Sequence, residues 1–402
     1  MQSSRKEFTP VLLGGDLNAY SVALAFKEAY GITSVVFSRY RCGATENSSF
    51  IKVHLCSELD DVEVAVSELL KFAAKNTGVD LLLIPCSDAY VSVVERAKSL
   101  LSGIYKIHLP DLATWRLLSN KQTFYEEMKG EGIFYPDYVS FRHGDKIIDS
   151  KLTSFEYPAV LKPSESAEYW KHPFEDMRKV YFPNNSGEAC GILYKIFGSG
   201  YRGSIILQKK IEGEKNYVFT TFSDSSGKVI RGVLGKVILE ETGKTSMGNH
   251  SAIITEPLDK ICYQLIEYLN KIKYRGIANF DIMSDGNEKY VLELNPRQGR
   301  SCDYMRAAGV NIAELFVGCV YGEKTEPDFS YKKVYWHYPP HKSVLKHTGE
   351  SEKKTAEYLT LKGEKYTPYV NGFEGLKRRL YVAVHNLRLS KIFRKNKIEE
   401  TR

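Results

Sequence analysis

The stretch "VLELNPRQGRS", residues 291–301, begins as a strand and breaks at Pro296. Side chains alternate between the two faces of a strand, so Glu293 and Asn295 share one face while Leu292 and Leu294 share the other. Arg297 and Arg300 follow at once. A face meant for a dry core has no use for two adjacent oxygen-bearing side chains and two guanidinium groups. Hard oxygen donors beside fixed positive charge suit a divalent cation held together with an anion such as phosphate.

The runs "YRGIANFDIM" (274–283) and "EKYVLELNP" (288–296) flank "SDGN" (284–287), a turn signal, and read together as a hairpin. Pairing them brings Asp281 near Glu293 and Asn295. These three are candidate ligands for Mg²⁺, which takes few protein oxygens and completes its shell with substrate phosphates and water. Lys121 and Lys162, on separate elements upstream, add two point charges. A surface hairpin with ordinary salt bridges is the plain alternative, and the polar run through Pro296 and both arginines argues against it.

The first third of the chain alternates apolar strands (10–15, 34–37, 80–86) with helical patterns (18–30, near 60–76, 90–101), as in a parallel sheet covered on both faces. Gly14-Gly15 turns from the first strand into the first helix and offers backbone N–H groups to an anion, or is a tight turn of purely structural use. Asp16 and Asn18 follow as candidates for contacting an amino-acid substrate, a role that competes with helix capping.

From about residue 119 the pattern becomes α+β. A helix over 119–133 is capped by Ser119 or Asn120, and the strand 157–163 ends in Lys162-Pro163. The polar, aromatic stretch 164–182 is long for a connection and is a candidate lid, with Lys179 able to touch phosphate. Strands over 204–213, 217–224 and 229–240 precede an amphipathic helix over 258–272. The expected units are 1–115, 116–330 with a hinge near 208–213, and a C-terminal extension 331–402.

Composition excludes several classes. No apolar run approaches the roughly 20 residues of a membrane span, and the start lacks the pattern of a secretory signal. Seven scattered cysteines read as reduced thiols of a cytoplasmic protein. The net charge of +7 is concentrated after Phe373, where nine Lys/Arg face three Glu. A nucleic-acid binder would spread such charge over a broad face. The segment 373–397 reads as a basic amphipathic helix. Leu380, Val384, Leu387 and Ile392, with Tyr381 and Phe393, form its apolar stripe, flanked by Lys377, Arg378, Arg388, Lys391, Arg394 and Lys395. It suits an anionic membrane surface, or packs on its own domain ahead of a frayed tail. No Ser-His-Asp or Cys-His arrangement follows from spacing. His250 is a candidate for orienting substrate and equally for a satisfied structural histidine.

The order Lys121, Lys162, "Gln208-Lys209-Lys210-Ile211-Glu212-Gly213", Asp281 and "Glu293-Leu-Asn295-Pro-Arg297" resembles the ATP-grasp ligases over about 110–325. With "FTPVLLGGDLNAYSVALAFKEAYG" (8–31), "LSNKQTFYE" (118–126), "YPAVLKPSESAEYW" (157–170), "MGNHSAII" (247–254), "GIANFDIM" (276–283) and "LNPRQGRS" (294–301), the chain looks like the D-aspartate ligase group of bacterial cell-wall synthesis. The resemblance implies two subdomains closing over ATP. Lys121 and Lys162 then contact phosphates, Gln208, Lys209, Lys210 and Ile211 hold adenine, and Asp281, Glu293 and Asn295 bind Mg²⁺, with Mn²⁺ as a substitute. Arg297 and Arg300 face the phosphoryl group or the acid. Many members carry Glu where this chain has Asp281. The implied partners are a small-molecule acid and an amine acceptor on a peptidoglycan precursor. A phosphotransferase or carboxylase, and a noncatalytic nucleotide-binding module, are the competing classes.

Overall fold

Near-continuous apolar strands build the N-terminal layer. The computed structural model describes residues 7–145, 150–213, 215–241, 243, 246–369 and 371–400. Strands β1 (Phe8–Leu13), β2 (Ser34–Ser38), β3 (Ile51–Leu55), β4 (Asp80–Pro85) and β5 (Tyr105–Lys106) form a parallel sheet in the order β3-β2-β1-β4-β5. Leu12, Val36 and Leu82 pack under the helix Leu17–Tyr30, while Val11, Leu13 and Leu83 pack with Leu69 and Val94 of the helices on the other face. Both faces are covered, as the run of apolar residues requires. β3 has no counterpart among the expected strands. It lies at the sheet edge, buries only Ile51 fully, and so leaves little pattern in the sequence.

A small antiparallel sheet follows, β6 (Tyr138–Phe141), β7 (Ala159–Pro163) and β8 (Ile205–Lys209), ordered β6-β8-β7 and backed by the helix Ser186–Gly198. The large sheet holds β9 (Lys215–Ser223), β10 (Val229–Glu240), β11 (His250–Glu256), β12 (Gly276–Ser284) and β13 (Lys289–Asn295), with β14 (Tyr335–His337) and β15 (Lys365–Tyr366) at its far edge. Helices Lys121–Gly130 and Lys260–Lys271 pack on the large sheet around Phe219, Phe280 and Leu294. Asn120, not Ser119, caps the first of these, accepting from the N–H groups of Gln122 and Thr123. The C-terminal region therefore extends the large sheet through β14 and β15.

The long C-terminal helix, Leu376–Glu400, corrects part of the sequence expectation. Its inward face carries Val382, Leu389 and Phe393, so Phe393 does not belong to the stripe. Arg378 is not a flank either. It is buried, stacks near Tyr20, Tyr369 and Tyr381, and donates to the carbonyls of Gly43 (2.7 Å), Glu46 (2.9 Å) and Ala44. Leu376, Leu380, Val384 and Leu387 form an exposed row at helical spacing, and Ile392 is exposed off that row. Lys377, Arg388 and Lys391 are exposed beside them, while the side chains of Arg394 and Lys395 lie outside the described residues. Among the described residues no helix is long and apolar enough to cross a membrane.

Candidate active site

The hairpin pairs Asp281 with Glu293 and Asn279 with Asn295. A bulge between Asp281 and Ile282 interrupts strict alternation, so Val291 and Leu294 pack in the core while Leu292 turns to the cleft. The expectation that Leu292 shares a face with Leu294 is thereby corrected.

Two continuous cavities meet at this hairpin. The first, about 350 Å³, lies between the small and large sheets. Its apolar walls are Val160, Phe182, Ile211, Tyr217, Met283 and Leu292, and its polar end holds Lys121, Lys162, Lys179, Glu240, Asp281 and Glu293. The second, about 170 Å³, is lined by Asp16, Asn18, Ser87, Asn295, Arg297 and Arg300. Lys179, Gly248, His250, Asp281 and Glu293 belong to both.

Charge is concentrated at the junction. Lys121 Nζ lies 2.6 Å from Glu293 Oε2. Burial opposes the charge on Glu293, yet Lys121, Lys162 and Lys179 overcome it and hold the carboxyl well below its usual range. Burial, then the adjacent Glu293, pushes Asp281 well above its ordinary value. The two facing carboxyls are thus driven apart, Glu293 toward the charged form and Asp281 toward the protonated form. Burial and the charge of Lys121 bring the Lys162 ammonium down to about 7. His250, between Glu240 (3.7 Å) and Asp281 (3.9 Å), is lowered by burial. Lys179 donates to the Met247 carbonyl at 3.1 Å.

Most expected site residues converge here, and Lys209 does not. Strand alternation in β8 turns Gln208 into the cavity and Lys209 outward, where it pairs with Glu156 at 3.0 Å. Lys210 and Ile211, just past the strand, line the cavity. Segment 164–182 is a wall rather than a free flap. Tyr169 is fully buried, its hydroxyl lies 2.8 Å from that of Tyr181, and Tyr181 bridges Leu161.

Both arginines arrive with partners that spacing could not reveal. Arg297 is gripped by Asp88 in a two-point fork at 3.0 and 2.8 Å and also donates to Asn295 Oδ1 at 3.1 Å. Arg300 pairs with Glu241 at 2.8 Å and lies over the Tyr338 ring, whose hydroxyl donates to the same carboxylate. Glu240 and Asn216, joined at 2.9 Å, complete the far wall. The polar ending of "VIRGVLGKVILEE" was the available signal for Glu240 and Glu241. Among the described residues no group of three or more His, Cys, Asp or Glu could hold a metal. Two carboxylates and an amide beside three lysines instead fit a cation that shares its shell with phosphates.

A profile of the ATP-grasp domain matches residues 118–301. The D-aspartate ligase of Enterococcus faecium (strain Aus0004) is 30% identical over 381 residues, covering 90% of this chain and 89% of that protein. Among solved structures, the ADP complex of an N5-carboxyaminoimidazole ribonucleotide synthetase matches with a TM-score of 0.60 at 15% identity, over 83% of this chain and 82% of the other. An L-amino acid ligase from Bacillus licheniformis matches with a TM-score of 0.57 at 14% identity, over 79% and 75%. At those identities the structural likeness speaks for the fold alone, whereas the first relative spans nearly both chains. The protein belongs to the ATP-grasp carboxylate–amine ligases, in the group of the D-aspartate ligase, and is an ATP-dependent enzyme that forms carbon–nitrogen bonds.

Proposed function

We propose that the enzyme joins a carboxylate of an amino acid such as D-aspartate to an amine of a peptidoglycan precursor. The observation that carries this reading is the junction of an apolar-walled cavity with a smaller polar one at Asp281 and Glu293. A nucleotide in the first would present its terminal phosphate to an acid in the second. The acid oxygen attacks the γ-phosphorus, ADP leaves, and an acyl phosphate forms. The amine nitrogen then attacks the acyl carbon, phosphate leaves, and the nitrogen loses a proton to give the amide.

The residues divide the work by their chemistry. Gln208, Lys210 and Ile211 hold adenine, Lys209 contributing through its backbone. Lys121, Lys162 and Lys179 neutralise the phosphates, and Arg297 and Arg300 orient the phosphoryl group and the acid. Asp281, Glu293 and Asn295 would hold Mg²⁺, or Mn²⁺, which draws negative charge from the phosphates. Segment 164–182 keeps water from the acyl phosphate. Residues 1–115 contribute Asp16, Asn18 and Ser87 to the acid side, and residues 116–330 supply the nucleotide side together with Arg297 and Arg300 of the acid side. Within 331–402, the exposed row Leu376, Leu380, Val384 and Leu387 would rest on the anionic inner face of the cytoplasmic membrane.

ADP release measured across amino acids and amine acceptors, with mass spectrometry of the product, tests the reading. D-aspartate should stimulate release well above D-alanine or L-aspartate and yield an amide. Equal responses would point to another amino acid or a surface-polymer acceptor. A phosphorylated or carboxylated product would indicate the other chemistries this fold supports, and no turnover a binding module.

A further inference from the structure

The turn into the first helix has the opposite polarity from an anion site. Gly14, at φ +123, donates its N–H to the Phe37 carbonyl at 2.8 Å. The N–H groups of Asn18 and Ala19 are taken by Asp16 Oδ1, at 3.1 and 3.4 Å. What this end of the helix shows the smaller cavity is therefore acceptors. Asp16 is exposed to the cleft, and among the described residues only its Oδ1 receives protein donors. Asn18 is 2% exposed and lines the same cavity. Its amide nitrogen donates to the carbonyls of Cys86 and Gln298, both at 2.9 Å, which fixes the orientation of the group. Its Oδ1 is then left buried with no hydrogen-bond partner. A buried acceptor without a donor costs roughly 1–3 kcal/mol, so a ligand that supplies the donor is favoured.

The same cavity also has cationic lining. Arg297 and Arg300 line it, and Arg300 is held in place by Glu241 and Tyr338. Acceptors and guanidinium groups lining one small cavity match a zwitterion. We propose that Asp16 and the Asn18 Oδ1 receive the α-ammonium of the donor amino acid while Arg300 holds its unreacted carboxylate, leaving the second carboxylate to face the phosphates. The site thus selects an amino dicarboxylic acid over the same acid lacking the amine. This rests on the ligase reading above and adds to it the group that is recognised.

Asp16→Asn provides a clean test, because asparagine caps a helix as well as aspartate but carries no charge. ADP release is followed with an amine acceptor, using D-aspartate or its des-amino analogue succinate as the acid. In the wild type kcat/KM should favour D-aspartate over succinate by about 100-fold or more. In Asp16→Asn the KM for D-aspartate should rise about 10- to 100-fold, as expected for loss of a charged hydrogen bond, with the KM for ATP unchanged. Preference over succinate should shrink accordingly. Asp16→Ser, which also caps, should behave the same way. A D-aspartate KM that stays at the wild-type value in both variants overturns the assignment while leaving the ligase reading intact. Equal loss toward D-aspartate and succinate also overturns it, since the residue would then not read the amine. If D-aspartate and succinate are equally poor substrates of the wild type while another amino acid gives an amide, the same comparison with that acid and its des-amino analogue decides the ammonium assignment. If no amino acid promotes ADP release, both readings fail together.

Discussion

Lys162 offers the most quantitative test of the nucleotide site. Its ammonium is brought to about 7 from an ordinary 10.5 by burial and by Lys121. A displacement of three to four units corresponds to about 5 kcal/mol held against the charged form. Phosphates placed beside Lys162 reverse that balance and return its pKa toward the ordinary value, so nucleotide binding takes up a proton. The sign follows directly. Well below pH 7 the lysine is already charged and binding needs no proton. Above pH 7 the free protein has lost the proton that the complex requires, and affinity falls about tenfold per pH unit. Uptake should be about 0.1 proton at pH 6 and about 0.9 at pH 8, and the dissociation constant should rise about 50-fold between pH 7 and 9.

The assay is calorimetric titration with ADP in buffers of different ionisation enthalpy, where the slope of observed heat against buffer enthalpy counts protons. Phosphate second ionisations lie near pH 6, so the window of pH 7.5–9 isolates the lysine. EDTA keeps divalent cations away from Asp281 and Glu293, where metal binding favours the deprotonated carboxyls and changes the proton count with the opposite sign. Lys162→Arg, which stays charged, should bind nucleotide without the uptake. Tight ADP binding at pH 8 with zero slope in the wild-type protein would refute the placement of Lys162 against phosphate.

Other expectations are simpler. Glu293→Gln and Asn295→Ala should each lower Mg²⁺-dependent ADP release at least about 100-fold while the circular dichroism spectrum is retained. Wild-type-like release by either would remove the metal assignment. Arg378→Met strips donors from three carbonyls and leaves Glu374 buried without its cation 3.8 Å away, so denaturant unfolding should show a loss of about 3–5 kcal/mol. A loss below about 1 kcal/mol would mean that the C-terminal helix is held elsewhere. Leu380 and Leu387 are 61% and 67% exposed, so changing both to Gln should leave the fold intact. Co-sedimentation with phosphatidylglycerol vesicles at low salt should nonetheless fall about tenfold or more. Unchanged vesicle binding, or none in the wild type, rules out the membrane contact.

What could be read from the sequence was local, and what could not was tertiary. The hairpin carrying Asp281, Glu293 and Asn295 announces itself because period-two alternation, a turn tetrapeptide and a proline all fall within about twenty residues. Lys121 and Lys162 stand out because each closes or opens an element whose apolar pattern is plain. Strand alternation also decides Lys209 against Gln208, a distinction visible in principle from period two alone. The bulge at Leu292 could not be read, because it depends on how β12 and β13 register rather than on either strand. Asp88 looks like an ordinary residue opening a helix until folding brings it to Arg297, 209 residues away. The same holds for Tyr338 over Arg300, and for Arg378, whose place in a basic run suggests a solvated charge. Pairings of this kind share one physical cause. A guanidinium that must be fixed in direction inside a cleft needs a carboxylate or carbonyl on an element that does not move with it, and such elements are remote in the chain. The acid-side cavity is assembled in that way, from the start of the first helix, the end of β4, the start of β11, Lys179, and the β12–β13 hairpin with the turn after it. Asp16, Asn18, Arg297 and Arg300 were legible as separate polar residues, while their joint polarity, acceptors together with guanidinium groups in one cavity, exists only in the folded chain.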